Sequence, residues 1–118
     1  MKAFLGDRLT TLFAHAVSTE TECLICSTFF RRWLTEANED PDNLQLDDRE
    51  RAVVEYGRQL ARDANGVSDE QYAAVAGLLA PAQLVALTAF GGMMIATNVF
   101  NNALKVDLDE YLQPFRKG

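Results

Sequence analysis

Two cysteines, one histidine, three prolines and seven glycines are all the chain holds of those types in 118 residues. Each scarcity excludes something. Two cysteines are too few for a disulfide-built scaffold. So little proline and glycine excludes collagen-like and low-complexity chains. Positive charge is also short, with 11 basic side chains against 17 acidic ones and a net charge of −6. Nucleic-acid affinity rests on Lys and Arg neutralising phosphates, so nucleic acid is not an expected partner. Arg31-Arg32 is the one adjacent basic pair before Arg116-Lys117, and a lone pair reads as a solvated helix face. Met1–Thr10 carries Asp7 and no clean apolar block, so no secretory leader is read there. The expected compartment is the cytoplasm, where paired cysteines point to reactivity or metal binding rather than a permanent staple.

Charge is missing altogether between Glu70 and Lys105. Leu84–Phe100 is the most apolar part of that stretch, and a membrane-spanning helix needs about 20 apolar residues. Thr88, Gly91-Gly92, Thr97, Asn98 and Asn101-Asn102 interrupt it, and no aromatic–basic belt brackets both ends. The expectation is therefore no membrane, with this helix at the centre of a bundle or in an oligomer interface.

What is present is helical periodicity. The length and the 48% hydrophobic content suit one globular domain, 1–118. Leu5, Leu9, Leu12, Phe13 and Ala16 predict a helix over Lys2–Ser18. The hydroxyl and acid run Ser18–Glu22 has the composition of a helix start, so a second helix is expected from about Glu22 to Ala37. Asn38–Asp47, with Pro41, reads as a loop. Asp47 or Asp48 caps a third helix to about Ala64, with Val53, Val54, Leu60 and Ala61 inward, and Asn65-Gly66 stops it. Ser68 with Gln71 makes a capping box for a fourth. Pro81 suits the first turn of a fifth, reaching about Leu104. Asp107 opens a short last helix through Gln113, which Pro114 ends. No strand pattern or internal repeat is present, and about six helices predict an all-α fold.

The chemistry-bearing feature is Cys23-Leu24-Ile25-Cys26, just inside the expected start of the second helix. The first turn of a helix presents unpaired N–H groups and the positive end of its dipole, which lowers a thiol pKa. Two sulfurs one turn apart are the minimal dithiol redox centre, one attacking and the other resolving. The same pair also reads as two small buried hydrophobes. Glu20 and Glu22 oppose the helix terminus, because nearby negative charge raises a thiol pKa. A structural zinc site needs four ligands, and His15 is the only other Cys/His donor, so no metal and no cofactor are expected. His15 reads either as a half-buried ring bonded to a backbone carbonyl or as a base for a cysteine proton.

Thr11-Leu12-Phe13-Ala14-His15-Ala16-Val17-Ser18, followed by Cys23-x-x-Cys26, resembles the alkylhydroperoxidase D-like core of the carboxymuconolactone decarboxylase family. Arg49-Glu50-Arg51-Ala52 with Tyr56-Gly57 is similar to that family's third-helix segment, and Val67–Tyr72 to its next helix start. Ala96–Asn102 followed by Val106–Leu112 looks like its closing signature. The resemblance spans nearly the whole chain. It implies an all-α fold assembled as a trimer or hexamer, with the uncharged stretch as core and subunit interface. Asn98, Asn101 and Asn102 would then be polar groups bonded across packed helices. It also implies a peroxidase-like dithiol oxidoreductase acting on a hydroperoxide, with Cys26 attacking, Cys23 resolving and an external thiol reductant. The chain departs from the redox branch at two positions: Thr11 stands where that branch has a glutamate, and Phe30 where it has a histidine. Those two residues relay the proton from the attacking thiol. Neither Thr11 nor Phe30 is a useful base, and His15, one turn from Thr11, is the candidate substitute.

Two other readings stand beside the enzyme. One is a non-catalytic helical assembly module that keeps the fold with inert cysteines. The other is a binder of apolar small molecules, lined by Phe29, Phe30, Trp33 and the Met93-Met94 region, although such a stripe is also ordinary core.

Overall fold

Gly6, at φ 83°, caps the N-terminus of the helix Asp7–Glu20. Glycine takes this conformation without a Cβ penalty. The structure, a computed structural model, describes residues 5–117. Within them α1 spans Asp7–Glu20, α2 Leu24–Glu36, α3 Asp48–Asp63, α4 Asp69–Ala76 and α5 Pro81–Ala103. Two 3-10 turns, Ala64–Gly66 and Glu110–Phe115, complete an all-α fold, with no strand among the described residues. The expected helix start at Lys2 lies outside the described residues.

Three helices end in the same way. Glu22, Asn38 and Lys105 take φ of 57°, 64° and 56° after α1, α2 and α5. After α1, the Glu22 N–H donates to Thr19 O and the Cys23 N–H to Ser18 O. This pair of bonds is a Schellman closure. The hydroxyl and acid run expected to start a helix therefore ends one instead. Thr21 turns its hydroxyl back onto Val17 O and Ser18 O rather than forward onto α2, an alternative open to any Ser or Thr near a helix end. Cys23 closes α1 and is at once the N-cap of α2.

The capping boxes are at Asp47/Glu50 and Ser68/Gln71, and Pro81 opens α5. The last expected helix is instead a 3-10 turn that runs through Pro114. Its closing bonds, Leu112 N–H to Asp109 O and Arg116 N–H to Gln113 O, do not call on a Pro114 N–H.

The core is centred on α1. Phe13, Leu12 and Val17 are fully buried and cluster with Leu34, Val53, Val75 and Leu87. Glycines let α3 and α5 approach the Phe13 ring: a Cβ on Gly57 would lie 3.0 Å from it and one on Gly91 3.1 Å. The loop after α2 is tied down by Arg8, which donates to both Glu39 carboxylate oxygens, and by Arg31, which does the same to Asp42.

α5 is not at the centre of the bundle. It buries Leu84, Leu87, Gly91 and Asn98 and leaves Val85, Met93, Val99 and Phe100 outward, each at least 59% exposed. A helix that reads apolar on every side has here only one side in the core. By length and composition alone, α5 is long and apolar enough to cross a membrane.

Candidate active site

The cysteine pair sits at the junction the α1 closure creates. The Cys23 N–H is already committed to Ser18 O, and its carbonyl accepts the Ser27 N–H at 2.9 Å. The backbone thus fixes Cys23 at the N-cap and Cys26 in the first turn of α2. Cys23 is fully buried and Cys26 half-buried, and both are free thiols.

α5 holds this junction through three asparagines spaced along one helical face. Asn98 Nδ2 donates to Thr21 Oγ1 and Asn102 Nδ2 to Thr21 O, each at 2.8 Å. Asn101 Nδ2 reaches both sulfurs, Cys26 Sγ at 3.3 Å and Cys23 Sγ at 3.8 Å. Spacings of three and four residues put these side chains on one stripe, so the stripe itself was visible in the sequence. Its target was not, because reaching the thiols depends on how α5 crosses α2.

Cys26 also lines a mostly apolar cavity of about 250 Å³ with Phe29, Phe30, Met94, Asp109 and Tyr111. Phe30, at the position of the absent histidine, is an apolar wall of this cavity. Thr11, at the position of the absent glutamate, is buried in α1. Of the residues expected to line an apolar pocket, Phe29, Phe30 and Met94 do so. Trp33 packs against the core and Met93 faces outward. Asp109 and Asn101 are the polar members of this site that motif reading missed. Asp109 enters through the 3-10 segment, whose docking no sequence spacing reports.

The Cys26 thiol is pushed up to about 12. Burial is the largest cause, the hydrogen bond to the Cys23 sulfur and that sulfur's charge add to it, and the Asn101 amide opposes them. This corrects the expectation of a lowered thiol pKa at a helix start. A sulfur packed among Phe29, Phe30 and Met94 loses more by leaving water than the terminus returns.

His15 is not brought to the thiols. At 100° per residue, Leu24, Ser27, Thr28 and Arg31 share one face of α2, while Ile25, Cys26, Phe29 and Phe30 share the opposite one. His15 lines a separate cavity against the first of these faces. The base suggested by spacing therefore stands on the wrong side of α2 for Cys26. Its Nε2 is 3.5 Å from Thr19 Oγ1. Its pKa is lowered to about 4, first by burial and then by the charges of Arg31 and Arg58, with Asp42 opposing and Lys117 adding to the fall. The ring is neutral at pH 7.

Among the described residues, no three His, Cys, Asp or Glu side chains cluster as a metal site would require. Comparison of the chain with protein-family models, curated proteins and solved structures finds no match in any of the three.

Proposed function

We propose that the chain is a dithiol oxidoreductase with peroxidase-like activity, working as a homo-oligomer, a trimer or hexamer, in a reducing cytoplasm. The observation that carries this reading is the single Asn101 amide spanning both sulfurs, with Cys26 open to a cavity and Cys23 sealed behind it. That arrangement divides the labour. The accessible Cys26 sulfur attacks the terminal oxygen of a hydroperoxide, the O–O bond breaks, and an alcohol or water leaves as Cys26 becomes a sulfenic acid. The Cys23 sulfur displaces that hydroxyl as water and forms the Cys23–Cys26 bond. An external thiol reductant supplies two electrons and two protons to restore both thiols.

The attacking proton needs an acceptor, and neither Phe30 nor His15 serves. Asp109 is the carboxylate on the thiol cavity, and it takes that role in this reading. The apolar outer face of α5 supports self-association, since a contiguous apolar surface of this kind marks an interface.

The deciding experiment is mass spectrometry of reduced protein after one equivalent of hydrogen peroxide. The expected product is an intramolecular Cys23–Cys26 disulfide that a dithiol reverses. Cys23→Ser should stop at a trappable sulfenic acid on Cys26, and Cys26→Ser should form nothing. Thiols that stay unoxidised until the chain is denatured overturn the proposal.

That outcome belongs to a second reading, an inert helical assembly module of the same fold. The raised Cys26 pKa and the apolar Phe30 wall favour it.

A further inference from the structure

On the other face of α2 lies a cavity of about 370 Å³, within the range that holds small organic ligands. It shares no residue with the thiol cavity. Its walls come from five parts of the chain. His15 and Thr19 come from α1, and Ser27, Thr28 and Arg31 from α2. Arg58 comes from α3, while Asp42 and Lys117 come from the loop and the C-terminal tail.

Charge in this cavity runs against the rest of the molecule. Three cations, Arg31, Arg58 and Lys117, meet a single carboxylate, Asp42, in a chain of net charge −6. Asp42 is shared: Arg31 holds it with two bonds of 2.6 and 2.9 Å, and Lys117 approaches it at 3.7 Å. Arg58 pairs with Glu55, which is not on the cavity wall. Asp42 and Glu55 together leave one positive charge over among the three cations, and the imidazole beside them is held neutral by burial and by the same positive field. Leu24, Pro41 and Leu44 add an apolar wall beside the charges. A bare inorganic ion would leave that wall uncovered.

We propose that this cavity binds a small organic anion, a carboxylate on a short apolar body, with Arg58 and Lys117 meeting the charge and His15, Ser27 and Thr28 supplying neutral hydrogen bonds. The carboxylate takes up the charge excess. The apolar body covers Leu24 and Leu44. The site stands apart from the dithiol reading and survives its failure.

The test is a titration of the intact protein at low salt with benzoate, and with benzyl alcohol as its uncharged counterpart, followed by the His15 ring signals in NMR. Benzoate should saturate and raise the imidazole pKa, because a bound anion offsets the Arg31, Arg58 and Lys117 charges. Benzyl alcohol should do neither. Arg58→Gln, at an exposed side chain whose loss does not threaten folding, should weaken benzoate by about tenfold, the scale of one charge-assisted hydrogen bond. Lys117→Gln should act in the same direction. Arg51→Gln, at an exposed arginine paired with Asp48, should leave the affinity unchanged. Equal binding of benzoate and benzyl alcohol overturns the proposal. So does an Arg58→Gln affinity equal to that of the parent, or a benzoate response that leaves the His15 signals unmoved.

Discussion

The two faces of α2 begin at the same helix end and reach opposite states. One carries Cys26 against Phe29, Phe30 and Met94, with a single asparagine amide as its direct polar contact to the sulfurs. The other carries Ser27, Thr28 and Arg31 beside His15, Arg58 and Lys117. On the apolar face a thiol keeps its proton, because burial penalises the thiolate. On the cationic face an imidazole sheds its proton, because burial and neighbouring charge both penalise the imidazolium. The chain's one histidine and Cys26 are thus held apart by the thickness of a helix, each in its neutral form. Being close in sequence made them look like partners. The 100° rotation per residue separated them.

The sharpest way to break this comparison is kinetic. Cys26→Ser should abolish peroxide-driven disulfide formation, while His15→Gln should leave its rate within about twofold, since the ring lies on the other cavity. A His15→Gln variant that loses oxidation at pH 7 would mean the two faces communicate. Next in size is the junction both faces hang from. Thr21→Val removes the hydroxyl that Asn98 Nδ2 donates to and leaves a fully buried amide without that partner. The expected cost is about 2 kcal/mol in urea unfolding, the penalty for a buried donor left unpaired. A Thr21→Val protein as stable as its parent would show that the α5 asparagines do not hold the turn. A smaller effect tests the thiol face alone. Asn101→Ala removes the one group that lowers the Cys26 pKa, so alkylation at pH 9 should slow by about tenfold, one charge-assisted bond's worth. Faster alkylation would make the amide a shield rather than a stabilising donor.

How much of this could be read beforehand differs by element. The apolar stripe of α1, the Ser68/Gln71 box and Pro81 at the start of α5 were legible, because each is a local rule with its partners within a few residues. The α1–α2 junction was misread because Ser, Thr and Glu suit a helix start by composition, whereas the left-handed Glu22 that ends α1 leaves no mark in an L-residue's identity. The place of α5 stayed open between the bundle centre and an interface, because uniform apolarity does not say which side meets the core. The thiol pair itself was legible from its spacing. Its environment was not, since Asn101 lies 75 positions from Cys26 and Asp109 further still. The sign of the Cys26 shift depended on that environment. A helix terminus argues for a lowered thiol pKa from sequence alone, and only the packed Phe29, Phe30 and Met94 reverse it.

The smallest expected effect belongs to the cationic face and carries a sign. In the unfolded chain a histidine titrates near about 6.5, whereas folded His15 titrates near 4. Between those values the unfolded state binds the extra proton, so stability rises with pH through that window and is lost as pH falls through it. The ring is partly open to solvent, which reduces the effect below its full linkage value. From pH 7 to pH 5 the expected loss is therefore about 1 kcal/mol. Urea unfolding of the parent and of His15→Gln at both values isolates it, since the glutamine removes this titration and leaves those of the carboxylates. The difference in stability between the two proteins should shift by about 1 kcal/mol in favour of His15→Gln on acidification. An unchanged difference would place the folded ring at its ordinary pKa, and the positive field read from Arg31, Arg58 and Lys117 would have to be screened by something else.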